Sequence, residues 1–213
     1  MATLKGNVTS RKHIHRLLLN FMLIVLQSCK SKKQPLARSS LQFLIDEYID
    51  RWGDSYKLED LWWGDETLIW EEAISRAWQS RLSHGKMHGH QCRVANKLLE
   101  GLEVALTDKR QPEDFKDFES VYDWVQSIVD RVKGLGATTA DDVARRLGVW
   151  LRLEPVVVYL HAGAAAGARK FGVEGEIASL SSFPIEVQLL GATHAENFLC
   201  IYKKQISGTA ADG

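Results

Sequence analysis

Nine consecutive residues, Val132-Lys133-Gly134-Leu135-Gly136-Ala137-Thr138-Thr139-Ala140, set two glycines at alternate positions between two stretches of helical apolar spacing. Glycine reaches positive φ and carries no side chain to hold a ligand off the backbone. The amides of Gly134 and Gly136, with those opening the next helix, would then face solvent at the positive end of a helix dipole, where an anion is favoured. Lys133 and Thr138 add a charge and a hydroxyl to the same place. The chemistry implied is non-covalent capture of phosphate. A Gly-x-Gly turn taken alone more often just joins two helices.

Other side chains suit acid–base or metal chemistry. Tyr159 and His161 lie two apart after a Val156-Val157-Val158 run, and they are the candidate catalytic residues. A histidine amid apolar neighbours is, against that, commonly a satisfied core residue. Asp141 and Asp142 are expected in the first turn of the helix after the hairpin, where acids usually answer the dipole. His84, His88, His90 and Cys92 fall within nine residues, a spacing open to zinc, although the glycines between them suit a solvated loop and no second cluster appears. No metal and no cofactor is assigned. Trp52, Trp62, Trp63, Trp70 and Trp78 crowd one third of the chain; at helical spacing tryptophans are usually core, and Trp62-Trp63 is the pair that looks free to stack on a base.

Helices must position these groups. Leu41, Leu44, Ile45, Tyr48 and Ile49 repeat at three and four residues and form a core-facing stripe, followed by a turn-rich, aromatic segment from Arg51 to Asp65. Asp65 is a plausible N-cap for a helix carrying Ile69, Trp70, Ala73, Ile74, Ala77 and Trp78 on one side. Another helix runs through Val94, Leu98, Leu99, Leu102 and Ala105. Pro112, Glu113 and Asp114 open the clearest helix, with Phe115, Phe118, Tyr122, Val125, Val129 and Val132 along one face, ending at Gly134. The helix after the hairpin faces inward through Val143, Leu147, Trp150 and Leu151. Ala162 to Ala168 gives a helix with little bulk, suited to close approach by another helix or a nucleic-acid backbone. The fold class expected is all-α.

Composition sets outer bounds. The 213 residues are 45% hydrophobic, enough for one sizeable core, and 27 basic against 27 acidic residues leave no net field to steer the chain toward phosphate. Any nucleic-acid affinity must therefore be local. Cys29, Cys92 and Cys200 are odd in number and far apart, which suits reduced thiols and a cytoplasmic location. Lys5, Arg11, Lys12 and Arg16 precede an apolar run from Leu17 to Leu26 that imitates a lipoprotein signal. Asn20 and Gln27 argue against that reading, and the run is shorter than the ~20 residues a membrane span needs. Residues 1–35 read as a basic and apolar N-terminal extension, either flexible or packed as a first helix, ahead of a helical domain over residues 36–213. No membrane partner is expected.

The hairpin nonapeptide resembles the helix-hairpin-helix turn of the endonuclease III and 8-oxoguanine DNA glycosylase superfamily. That turn reads roughly L-P-G-x-G-x-K-T-A. The similarity continues through Gly148, Pro155 and Val158-Tyr159-Leu160-His161 to Arg169-Lys170-Phe171-Gly172, and then to Phe183-Pro184 and His194 to Tyr202. It spans about residues 112–205, with the hairpin core at about 112–172. It implies a glycosylase-like helical fold and duplex DNA, held by its phosphate backbone, as partner, with Lys133, Gly134, Gly136 and Thr138 as contacts. It also implies what is missing: Thr138 stands at the family's lysine nucleophile and Tyr159 at its aspartate. A threonine hydroxyl is a poor nucleophile without a base, and a phenol stays neutral at pH 7. Three scattered cysteines cannot supply a four-cysteine iron–sulfur loop. The expectation is a DNA-binding protein without base excision of the usual kind. Two alternatives stay open, an unusual glycosylase or nucleobase-acting enzyme using Tyr159, His161 and a carboxylate from Asp141 or Asp142, and a protein-interaction scaffold.

Overall fold

The structure, a computed structural model, describes residues 40–207; the N-terminal extension with its apolar run and Cys29 lies outside them. Eight α-helices and one two-stranded sheet make up the described residues, an all-α architecture. The helices are α1 (Ser40–Trp63), α2 (Trp70–Gln79), α3 (Ala95–Thr107), α4 (Phe118–Val129), α5 (Ala137–Leu151), α6 (Ala162–Ala168), α7 (Ile185–Gln188) and α8 (Ala192–Tyr202). Strands β1 (Val157–Tyr159) and β2 (Ile177–Ser179) pair antiparallel, with Val158 opposite Ala178. No described helix is long and apolar enough to cross a membrane.

Two apolar cores organise the helices. The first is built from α2 to α5 around Trp78, Leu98, Val121, Val125, Ile128, Val143 and Leu147, all almost fully buried. The second gathers Ile45 and Tyr48 of α1, Val158, Ala164 and Ala168, and Ala195, Phe198, Leu199 and Tyr202 of α8. The segments on either side of α4 and α5 thus share the second core. The hairpin projects from the first.

Several local expectations are corrected. Arg51 to Asp65 is not a turn-rich break, because α1 continues to Trp63, and Ile49 faces solvent. Asp65 does not cap α2: its carboxylate takes the Thr67 amide and hydroxyl, and the cap lies at Ile69, whose amide donates to Glu72. Pro112 to Asp114 forms only a 3₁₀ turn, and α4 begins after Asp117, whose side chain accepts from the Ser120 amide at 2.8 Å. The helix stops at Val129, five residues before Gly134. Asp117 outcompetes Pro112 because it satisfies an otherwise bare first-turn donor.

The low-bulk helix α6 packs on α8. A methyl at Gly167 would enter the van der Waals shell of the Leu199 carbonyl oxygen, so the glycine permits helix–helix contact here, not approach to a nucleic-acid backbone.

Candidate nucleic-acid interface and adjoining cavity

Seven residues join α4 to α5. Val132 is buried and Leu135 packs against the first core, so these two apolar side chains pin the turn from below. Lys133, Gly134, Gly136, Ala137 and Thr138 are left exposed. Gly134 sits at φ +102°, which L side chains rarely adopt; Gly136 is extended at φ −152°, so only the first glycine is required by conformation. Gly136 is instead the N-cap of α5, its carbonyl accepting from the Thr139 and Ala140 amides at 2.8 and 3.1 Å. Among the described residues no acceptor serves the amides of Gly136, Ala137 and Thr138. Three bare donors therefore stand at the positive end of a fifteen-residue helix.

The same first turn forms one wall of a cavity of about 500 Å³. Ala137 and Thr138 face it from α5, Tyr122 and Gln126 from α4, and Tyr159, His161 and Glu176 from the β1–β2 side. The structure thus brings Thr138, Tyr159 and His161 to one hollow. Tyr122 and Tyr159 stack at 4.2 Å between ring centres, and the His161 ring lies nearly parallel to Tyr122 at 6.5 Å. The tyrosines stay protonated: burial, then nearby carboxylates, push Tyr122 up to about 12, and Tyr159 higher still. Burial also lowers His161, which is neutral at pH 7. Its Nε2 has no hydrogen-bond partner and lies 4.0 Å from Asp141 Oδ1. A phenol donor, a neutral imidazole and a carboxylate in that order suit proton transfer or recognition of a polar ring.

Asp141 and Asp142 fall in the second turn of α5, not the first, and do not answer the dipole. Asp142 accepts from Gln91 Nε2 at 2.6 Å and pairs with His90 at 2.7 Å, which holds its carboxyl below the usual range despite burial. Gln91 in turn accepts from Arg146, a 5%-exposed guanidinium that also reaches the Ala77 carbonyl and the Ser80 hydroxyl. That buried network was invisible in the sequence, since an arginine on an amphipathic helix reads as surface.

The histidine-rich segment is dispersed by the same contacts. His88 pairs with Glu59 at 3.3 Å, His90 with Asp142, and the Cys92 thiol points to the Met87 and His88 carbonyls. Among the described residues no three His, Cys, Asp or Glu side chains converge as a metal would require. The tryptophan pair is likewise no free platform. Trp63 is buried beneath Arg146, while the Arg76 guanidinium covers Trp62 at 3.8 Å and its indole donates to the Arg81 carbonyl.

Gln126 and Glu176 also line the cavity and were not singled out in the sequence, where nothing in their spacing marks them; Tyr122 was read there only as part of an apolar helix face. No family model, curated protein or solved structure matches the chain.

Proposed function

We propose that this chain is a nucleic-acid-binding protein with a helix-hairpin-helix, glycosylase-like build that holds the phosphate backbone of duplex DNA through Lys133, Gly134, Gly136 and Thr138. The observation that carries the reading is the exposed first turn of α5, with three amides lacking acceptors and Lys133 exposed in the turn that precedes it. A phosphate oxygen would satisfy those donors and meet the helix dipole at once. With Thr138 and Tyr159 at the positions where the family carries its lysine and aspartate, excision by the usual route is not part of the reading.

The test is fluorescence anisotropy with a labelled duplex in salt of about 50 to 200 mM. Binding should weaken steeply with salt, and Lys133→Glu should weaken it across all sequences; Lys133→Ala should lower the salt slope by about one. No anisotropy change at the lowest salt would defeat the proposal.

A second reading, a nucleobase-acting enzyme, is favoured by the cavity in which Thr138, Tyr159 and His161 meet. Stacked tyrosines and a neutral imidazole suit a planar heterocycle. Release of a free base from damaged oligonucleotides, lost on Tyr159→Phe or His161→Ala, would establish it. Unaltered capture of a protein partner by variants that bind no DNA would instead favour a scaffold.

A further inference from the structure

Two of the residues that carry the bare amides of α5, Ala137 and Thr138, are exposed in the hairpin and also line the cavity of about 500 Å³ behind it. A group held by those amides is therefore a neighbour of whatever the cavity holds. Inside, one buried nitrogen lacks its bond. His161 lines the same cavity with its side chain only 10% exposed, and its Nε2 has no hydrogen-bond partner, Asp141 Oδ1 standing beyond reach at 4.0 Å. Native interiors seldom leave such an atom unanswered. Bare donors at the rim and an unanswered nitrogen within are separate signs of one ligand.

The rim favours a phosphate monoester over a diester. A monoester offers three free oxygens and about two negative charges. A diester offers fewer of both. Here three amides, the Thr138 hydroxyl and the exposed Lys133 lie along one short turn, donors enough for the richer acceptor. The balance of 27 basic against 27 acidic residues gives no surplus to neutralise a long run of phosphates, so recognition falls on one. The cavity suits the remainder of a nucleotide, being of small-ligand size. Tyr122 stacks on Tyr159, and the His161 ring lies nearly parallel to Tyr122, which gives flat faces for a base. Glu176 brings a carboxylate to the same wall; it accepts from an exocyclic amine and repels a second phosphate.

We propose that the start of α5 and the cavity behind it bind a nucleoside 5′-monophosphate with an amino-bearing base, its phosphate on the amides of Gly136, Ala137 and Thr138, its base against Tyr122 with polar edges to His161 Nε2 and Glu176. A free mononucleotide and the 5′-phosphorylated terminus of a DNA strand present this same chemistry. The inference rests on the reading of the hairpin as a phosphate site, to which it adds the class of phosphate and the occupant of the cavity.

Calorimetry of the full chain with deoxyadenosine monophosphate, deoxyadenosine, inorganic phosphate and thymidine monophosphate tests it. Deoxyadenosine monophosphate should bind with a Kd below about 1 mM, and the nucleoside and the phosphate, which each fill half the site, at least about tenfold more weakly. Thymidine monophosphate carries no amine for Glu176 and should also bind at least about tenfold more weakly, a gap that Glu176→Ala should erase. His161→Phe keeps a flat ring and removes an unbonded nitrogen, so affinity should fall about tenfold while the melting temperature holds, which separates lost binding from lost folding. Duplexes ending in a 5′-phosphate, in a 5′-hydroxyl, or in closed loops then distinguish the two sources. A strand terminus makes the phosphorylated duplex bind at least about tenfold more tightly than the others; a free mononucleotide binds while the three duplexes stay equal. Equal, salt-sensitive binding of all three duplexes with no heat from deoxyadenosine monophosphate at about 10 mM would overturn this proposal and leave the hairpin reading standing. Silence from every duplex and nucleotide would overturn both. Undiminished affinity of His161→Phe for the preferred ligand would also overturn the proposal.

Discussion

At the residue scale, two half-buried carboxyls, Asp141 of α5 and Glu196 of α8, give the sharpest expectations. Burial, followed by neighbouring acids, pushes Asp141 up to about 7 and Glu196 up to about 8. A carboxyl raised on folding binds more protons in the native than in the unfolded chain, so its contribution is complete below its unfolded value near 4 and is lost as pH rises through the folded value. His90, raised by Asp142, acts in the same direction, while Glu59, Asp142, His161 and His194 are lowered and act in the opposite one. The signal is thus a difference between proteins. Relative to Glu196→Gln, the wild type should lose melting temperature between pH 5 and 8.5; parallel curves would show that Glu196 does not titrate as described. Glu196 was not legible in the sequence, where a lone acid in a closing helix reads as solvated. Asp141 was noticed twice, for a first-turn helix position it does not occupy and as a carboxylate to act with Tyr159 and His161, from whose Nε2 it lies 4.0 Å.

At the scale of elements, apolar period carried most of what could be read. The inward faces of α2, α4 and α5 follow from Trp70, Ala73, Ile74 and Ala77, from Phe118, Val125 and Val129, and from Val143 and Leu147, whereas the equally inward Val121 and Ile128 were not picked out. Boundaries were harder, since Pro112-Glu113-Asp114 and Asp117 both imitate a first turn and only tertiary packing selects the second. Strand β2 escaped notice because three residues pair with a partner eighteen or more positions away, which leaves no local period. The contact of α6 with α8 depends on absent side chains. Gly167→Ala should cost about 1–3 kcal/mol, read from urea melts, because its methyl meets backbone that cannot swing aside. Arg146→Ala should cost more, about 3–5 kcal/mol, by stranding Gln91, Ser80 and the Ala77 carbonyl around an empty site. A neutral result at either position would contradict the packing described.

At the scale of the whole molecule, one apolar core supports the hairpin from beneath and the second joins α1 to the closing helix. The exposed turn therefore stands on a rigid base, and zero net charge leaves it to act through local donors rather than long-range attraction. Sequence reading reached the hairpin and its exposure because glycine spacing and flanking helical periods are local signals. It could not reach the hollow behind the hairpin, whose lining comes from four separated segments.

Gly136 supplies the most direct measurement. A side chain there meets open space and an ordinary backbone conformation, and aspartate is a favoured N-cap residue. Gly136→Asp should therefore raise or preserve the melting temperature while its carboxylate occupies the bare amides and repels phosphate. In low salt this variant should lose at least about tenfold in affinity for a duplex that the wild type binds. Undiminished DNA binding by a stably folded Gly136→Asp protein would contradict the hairpin as the phosphate site.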